Sequence, residues 1–195
     1  MKIYLIHDPV RLDRRDLYRK ELETQGIDFV TLVPAVKETS IAKVNIARAH
    51  KKCIRKAMEA NLDRVVIMED DVKFACPGAW NRFLELYKVM DGWNMPWDIF
   101  ISGSYDYQPA PSLSIEITEL TKFSGLHCYM VNKKFYEKFL ALPETGHIDK
   151  SISKSGASIW MAYPMLALQH DTFSDNVKKI TQYNKTYAHK IKLWK

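Results

Sequence analysis

Three consecutive acids, Glu69, Asp70 and Asp71, directly follow the apolar run of residues 64–68, Arg-Val-Val-Ile-Met. This run is rich in β-branched residues and too short for a helix, so it predicts a buried strand that ends at the acids. Alternate side chains of an extended chain point the same way, so Glu69 and Asp71 can converge on one hard cation while Asp70 points elsewhere. Mg²⁺ or Mn²⁺ held in this way would bridge two phosphate oxygens of a nucleotide diphosphate. The alternative is a solvated turn with a helix-capping Asp.

Three arginines, Arg11, Arg14 and Arg15, follow a second apolar run, residues 2–7, which predicts the first strand. Ligands of α/β proteins bind beyond the carboxyl ends of the strands, and a guanidinium group can form two hydrogen bonds with one phosphate. The three arginines are therefore candidates for binding the nucleotide. We expect one to contact a phosphate, while the other two lie on a solvated helix face.

The periodicity of apolar residues predicts the elements that must position these side chains. The predicted strands are residues 2–7, 27–33, 64–68, 97–101, 113–117 and 126–131, and the predicted helices are residues 13–25, 41–60, 77–90 and 133–141. Residues 103–111 and 144–156 are predicted as loops, and residues 159–168, which contain Pro164, as an edge strand or a broken segment. Early alternation of strand and helix with short connections predicts an α/β fold, with a mostly parallel central sheet flanked by helices.

The length of 195 residues and the hydrophobic content of 47% predict one folded domain, residues 1–176, followed by a tail, residues 177–195. No apolar stretch is long enough to cross a bilayer. The N-terminus reaches His7 and Asp8 too early for a signal peptide, so we expect a cytoplasmic protein. The three cysteines have no CxxC spacing, which indicates neither a disulfide framework nor a zinc site.

The tail is basic, because no acid follows Asp175 whereas six lysines do. Aromatic and aliphatic residues are interleaved with these lysines, which favours a terminal helix that packs one face on the domain. The alternative is peripheral contact with an anionic surface, such as a membrane or an acidic ligand. The tail lacks a groove-reading motif and the aromatic signatures of RNA binding, so no nucleic-acid partner is expected.

Several segments together resemble glycosyltransferase family 25, the lipopolysaccharide-type and collagen-type sugar transferases. The central segment has a helix around Ala49-His50 and then a strand closing in Glu-Asp-Asp-Val at residues 69–72. Residues 3–6 and the arginines resemble the opening strand and loop of the family, and residues 125–133 resemble its tyrosine-bearing strand. The remaining matches are Asp149, Tyr163-Pro164, Gln169, Ser174 and Asp175. The likeness spans roughly residues 2–176, and it departs from the family at Asn45-Ile46 and Ala49-His50, where Gly-Cys and Ser-His are usual.

This resemblance implies a single GT-A-like (Rossmann-like) domain that transfers a hexose, with inversion, from a UDP-linked donor to a hydroxyl of a glycan or glycolipid. It also implies Mn²⁺ or Mg²⁺ held by Asp71 and Glu69. The closing motif adds His170 as a third candidate ligand and Gln169 as a candidate donor contact, and Asp70 is a candidate for binding the ribose.

For the catalytic base, the resemblance implies Asp149, whose position matches the acid of the family. Asp106, between two tyrosines in the loop of residues 103–111, is the alternative base. Two other functions remain open. One is a nucleotidyltransferase, which normally needs a glycine-rich loop where this chain has His7-Asp8-Pro9. The other is an inert GT-A-like domain that only binds a nucleotide or a glycan.

Overall fold

The computed structural model describes residues 1–110, 116–174 and 178–195. Its strands are β1 Ile3–His7, β2 Thr31–Pro34, β3 Arg64–Glu69, β4 Val72–Phe74, β5 Ile99–Ile101, β6 Asp106–Pro109, β7 Ile117–Ser124, β8 Cys128–Asn132, β9 Ile159–Ala162, β10 Ala167–Gln169, β11 Phe173–Ser174 and β12 Lys179–Ile180. Its helices are α1 Leu12–Gln25, α2 Ala42–Glu59, α3 Ala79–Gly92, α4 Tyr136–Ala141, α5 Ile148–Ser153 and α6 Tyr183–Thr186, with a 3₁₀ turn, Lys133–Phe135, before α4.

Within the described residues, eight strands form one sheet in the order β2-β1-β3-β8-β5-β9-β7-β6. The pairings β1–β2, β1–β3 and β5–β9 are parallel, whereas β7 and β8 run antiparallel to their neighbours. The sheet is therefore mixed, with most strands pointing the same way. The predicted fold class, an α/β domain with a mostly parallel sheet flanked by helices, is confirmed.

Alternation along the buried strands divides the core between the two faces of the sheet. Tyr4 and Ile6 of β1 pack in the cluster that contains α2, α4 and α5, whereas Ile3 and Leu5 pack in the cluster that contains α1 and α3. Strand β3 alternates in the same way, with Ile67 on the α2 side and its neighbours on the other. Because side chains two residues apart share a face, Glu69 at the end of β3 emerges on the α2 side.

Two segments differ from the sequence-based expectation. The predicted loop 144–156 contains α5, whose buried face consists of only Ile148 and Ile152 and is too short to show a period. The predicted loop 103–111 contains β6, an edge strand without apolar alternation that pairs with β7 through its backbone. Residues 159–168 agree with the second of their two predicted forms, a broken segment, because they form β9 and part of β10 on either side of Pro164. Of the predicted strand 113–117, only the last two residues are described, and β7 begins at Ile117.

Among its described residues, the tail contains β12, the short helix α6 and a turn over residues 187–190, and its last residues pair with the domain. The amide of Met165 donates to the Lys192 carbonyl at 2.7 Å, and the amide of Trp194 donates to the Met165 carbonyl at 2.9 Å. Tyr183, Tyr187 and Ile191 pack against the α2-side core. The proposed boundary between residues 176 and 177 lies outside the described residues. None of the helices in the described ranges has both the length and the apolar character that crossing a bilayer requires.

We expect Gly103→Ala to destabilise the fold, because a Cβ at this position, just after β5, would lie 2.3 Å from the Ala167 carbonyl oxygen. Overpacking of this kind costs about 1–3 kcal/mol. Urea unfolding would measure the loss of unfolding free energy. Gly92→Ala is the matched control, since a Cβ at Gly92 meets nothing within 4 Å. Equal stability of the two variants would contradict the close packing of residues 103 and 167.

Candidate active site

A cleft of about 740 Å³ opens at the carboxyl ends of β1 and β3. The loop after β1, the start of α2, the acids after β3 and the start of α5 all contribute to its walls. Tyr183 and Tyr187 of the tail also line it, and both rings stack against Tyr105. The cleft therefore lies where an α/β sheet offers its ligand site, beyond the ends of its parallel strands.

Glu69, Asp71 and His127 meet at the cleft and form the carboxylate–histidine group. Each offers one ligand atom, and these three atoms lie within 4.8 Å of one another. Pairing of β3 with the antiparallel strand β8 brings His127 here, since the Glu69 amide donates to the His127 carbonyl at 2.9 Å. Gly125 makes room for the imidazole: its φ is +100°, and a Cβ there would lie 2.5 Å from the ring.

Glu69 is held in place by a histidine from α2. His50 Nε2 donates to Glu69 Oε1 at 2.9 Å, and His50 Nδ1 accepts from the buried Tyr129 hydroxyl at 2.7 Å. Burial acts to raise the pKa of Glu69, but the His50 hydrogen bond and the nearby positive charges outweigh burial and lower it. Glu69 is therefore an ionised carboxylate whose direction is fixed by a buried chain of two hydrogen bonds.

The pKa of Asp71 is shifted in the opposite direction to that of Glu69. Burial, the charge of Glu69 and that of Asp70 raise its pKa to about 8, even though Arg14 acts to lower it. Arg14 Nη1 lies 3.1 Å from Asp71 Oδ2, whereas Asp71 Oδ1 is buried without a hydrogen-bond partner among the described residues. An unpaired buried carboxylate oxygen beside a second carboxylate is a position where a cation would be stabilising.

His127 completes the group as a neutral ligand. Burial lowers its pKa to about 4, although Glu69 and Asp149 act to raise it, so the imidazole is uncharged near pH 7. Its Nδ1 lies 3.5 Å from the Tyr105 hydroxyl, and its Nε2 is buried without a partner within the described ranges. Two carboxylates and a neutral imidazole nitrogen suit Mn²⁺ or Mg²⁺, so the residues present fit a divalent cation.

The sequence pattern did not single out His127 as a ligand. His127 stands 58 positions after Glu69, and only the antiparallel pairing of β8 with β3 brings them together. The one local signal is Gly125 two residues earlier, which indicates a close approach of backbone and side chain but not what approaches.

The structure does not bring His170 to the carboxylate–histidine group. His170 follows β10, and its amide donates to the Asp71 carbonyl at 2.7 Å, but its Nε2 donates to Glu21 of α1 at 2.9 Å. The preceding residue, Gln169, does line the cleft. Ser174, which also lines the cleft, belongs to the same motif, whereas Asp175 lies outside the described residues.

Asp70 lines the cleft and is paired with groups from β1 and α1. It accepts hydrogen bonds from His7 Nδ1 at 2.8 Å, from Arg14 Nη1 at 2.8 Å and from the Asp8 amide at 3.3 Å. Arg14 thus bridges Asp70 and Asp71 and ties α1 to the end of β3. This pairing partly offsets the repulsion within the acidic triplet.

The three candidate arginines have different environments. Arg11 and Arg14 line the cleft, and both donate to the Phe173 carbonyl. Arg11 also pairs with Asp13, 2.7 Å away. Arg15 is not part of the cleft wall, and its Nε lies 3.6 Å from Asp16 on the solvated side of α1. Two of the three arginines are therefore placed to meet an anion in the cleft.

Both candidate bases line the cleft. Asp149, in the first turn of α5, accepts from the Gly125 amide at 2.9 Å and from the Lys150 amide at 2.7 Å. Asp106, in β6, is exposed and forms an ion pair with Lys190 of the tail. Asp149 is the better oriented of the two, because backbone amides contact both of its oxygens.

No protein-family model matches the chain, and no curated protein matches its sequence. Solved structures do share its fold. A glycosyltransferase involved in glycosylation of the major capsid of PBCV-1 has a TM-score of 0.53 and 12% identity, covering 96% of this chain and 97% of that chain. UDP-glucose pyrophosphorylase complexed with UDP-glucose has a TM-score of 0.52 and 9% identity, covering 97% and 81%.

A Drosophila beta-1,4-galactosyltransferase 7 mutant, in complex with manganese, UDP-Gal and xylobiose, has a TM-score of 0.50 and 11% identity, covering 93% of this chain and 74% of that chain. Identities this low show a common fold alone. The fold is GT-A-like, an architecture that occurs here in both sugar transferases and a nucleotide-sugar pyrophosphorylase.

Asp71 makes the stability of the metal-free protein depend on pH. Its folded-state pKa of about 8 lies above the unfolded value of 3.8, so its contribution is complete at low pH and is lost as pH rises through 8. Between pH 6.5 and pH 8 we expect a loss of about 1.5 kcal/mol of unfolding free energy. Urea unfolding in EDTA would measure it, with Asp71→Asn as the control that removes the dependence. Parallel pH profiles for the two proteins would contradict the raised pKa.

Proposed function

We propose that this chain is a glycosyltransferase that moves a sugar from a nucleotide-sugar donor to a hydroxyl of a glycan or glycoconjugate, with a divalent cation held in the cleft. The carboxylate–histidine group carries the proposal, because its orphaned buried atoms, Asp71 Oδ1 and His127 Nε2, point to a cation. The GT-A-like fold supports it, since the neighbours include two glycosyltransferases.

The donor that we propose is UDP-linked, and the proposed cation is Mn²⁺ or Mg²⁺. One neighbour binds manganese with UDP-Gal and another binds UDP-glucose, and these ligands motivate the choice for this chain. Arg11 and Arg14 line the cleft and are suited to contact the diphosphate. Membership of glycosyltransferase family 25, with transfer of a hexose and inversion, is the finer proposal and rests on the sequence motifs alone.

In the proposed mechanism, Glu69, Asp71 and His127 would hold the cation. A bound cation would neutralise the negative charge that develops on the departing diphosphate. Asp149 would accept the proton of the attacking hydroxyl, and the amides of Gly125 and Lys150 keep its carboxylate in one orientation. His50 positions Glu69 and keeps it ionised. Tyr183 and Tyr187 of the tail would contribute apolar surface to the cleft wall beside the bound donor.

A nucleotidyltransferase is the second candidate, since a UDP-glucose pyrophosphorylase has the same fold. The segment after β1, His7-Asp8-Pro9-Val10-Arg11, has no glycine and therefore cannot form the glycine-rich loop that normally contacts the triphosphate. This observation favours sugar transfer. The orientation of Asp149 in the cleft supports a transferase over an inert binding domain.

We expect UDP to bind only with the cation. Calorimetric titration of UDP should show binding with Mn²⁺, none in EDTA, and a loss of about tenfold or more with Asp71→Ala, because the diphosphate then lacks its counter-charge. His170→Ala is the matched control, since that imidazole contacts Glu21 and not the group. Binding in EDTA as tight as in Mn²⁺, or an unaffected Asp71→Ala, would contradict the proposed cation site.

Asp149→Asn should lower kcat for sugar transfer by about 10² to 10⁴ while leaving UDP affinity within about twofold, because the amide keeps the size of the side chain but accepts no proton and gives up one of the two backbone hydrogen bonds. Initial rates with UDP-glucose and UDP-galactose, followed by release of UDP, would measure it. Asp106→Asn distinguishes the two bases. A larger loss in Asp106→Asn than in Asp149→Asn would transfer the role to Asp106.

A further inference from the structure

A second groove, of about 500 Å³, lies between the β6–β7 hairpin, α5 and the tail. We call it the basic groove, and among the described residues it is lined by the charged side chains Asp106, Lys122, Lys150, Lys154 and Lys190. Nothing in the proposed sugar transfer accounts for it. The rest of its wall combines the polar residues Gln108, Thr121, Ser124 and Ser153 with the aromatic residues Tyr107 and Phe123.

Most of the positive charge of the basic groove is not neutralised by ion pairs among the described residues. Lys190 pairs with Asp106, which neutralises both. Lys122, Lys150 and Lys154 form no ion pair with any residue in the ranges 1–110, 116–174 and 178–195. Three ammonium groups in one concave surface focus a positive potential, which raises the local concentration of anions.

The walls of the basic groove are fixed by hydrogen bonds. Thr121 Oγ1 donates to the Gln108 carbonyl at 3.2 Å across the hairpin. Ser153 Oγ accepts from the Phe123 amide at 3.4 Å and donates to the Asp149 carbonyl at 3.0 Å, which ties α5 to β7. Tyr107, which is half-buried, adds an aromatic side chain to the wall, behind which Phe123 is buried in the core. Aromatic faces beside polar groups are suited to the apolar face of a sugar ring.

The basic groove continues into the cleft. Asp106, Ser124 and Lys150 line both. Lys150 directly follows Asp149, the proposed base, so a molecule in the basic groove could present a hydroxyl beside that carboxylate. The groove therefore approaches the cleft from the side of the base and not from the side of the arginines.

We propose that the basic groove binds the acceptor and that this acceptor is anionic: a sugar bearing a phosphate or a carboxylate. The inference rests on the proposed glycosyl transfer, and it adds the substrate class. Lys122 and Lys154 contact the anionic group, while the ring lies toward Tyr107 and the reacting hydroxyl lies toward Asp149.

Titration of the protein by amide NMR, in saturating UDP and Mn²⁺, tests the proposal with three probes: methyl glucoside, methyl glucuronide and methyl glucoside 6-phosphate. UDP would occupy the arginine side of the cleft, so that the probes report on the groove. We expect at least one anionic probe to bind about tenfold tighter than the neutral one. The two anionic arms separate a carboxylate acceptor from a phosphate acceptor.

The variant Lys122→Gln/Lys154→Gln should bring the anionic probes to within about twofold of the neutral one, since both lysines line the groove but not the cleft. The control is Lys73→Gln/Lys88→Gln, which removes the same charge from exposed positions elsewhere. Equal affinity for the neutral and anionic probes, or equal losses in the two variants, would overturn the proposal.

Different results would contradict the proposed function and the anionic acceptor. Absence of UDP binding to the wild-type protein in Mn²⁺ would reject the nucleotide-sugar donor. The probe titrations would then be repeated without UDP, and the difference in affinity between the two double variants would test the groove. Normal UDP binding with no preference for anionic probes would retain the transferase and reject the anionic acceptor.

Discussion

The structure depends on two neighbouring carboxylates at the end of β3, Glu69, which is partly buried, and Asp71, which is buried. Removing them from water is costly, and their mutual repulsion adds to the cost. The surrounding elements offset it with hydrogen bonds and positive charge: α1 supplies Arg14, and α2 supplies His50. Both helices are therefore tied to this point electrostatically as well as by apolar packing. These groups do not fully offset the repulsion, because the pKa of Asp71 is still raised to about 8. A divalent cation at this point would stabilise the ionised form of Asp71.

The alternation of β3 and the turn after it explain why Glu69, Asp70 and Asp71 have different environments. Glu69 continues the α2 face of the strand and finds a histidine there, whereas Asp70 turns towards α1 and is satisfied by His7 and Arg14. Asp71 lies beyond the strand, in the turn before β4, where one of its oxygens has no partner among the described residues. A two-residue period and one tight turn thus produce three neighbouring carboxylates with three different environments.

The sequence predicted best those elements that have a long apolar period or are completely buried. The predicted strands around residues 2–7 and 64–68 and the helix 41–60 correspond to β1, β3 and α2. Helix α5 was missed because two buried residues make no pattern, and β6 because an edge strand needs no apolar side chains. His127 was missed as a ligand because its place depends on antiparallel pairing with a strand far away in sequence. Local sequence patterns do not indicate which distant strands pair with each other.

The wall of the cleft combines segments that are far apart in the sequence. Asp8, Arg11 and Arg14 contribute to it early in the chain, and Tyr183 and Tyr187 contribute to it late. Synthesis runs from the N-terminus, so β1 to β3 leave the ribosome before α6 does. The cleft therefore gains its two tail tyrosines later in synthesis than its arginines and its acids.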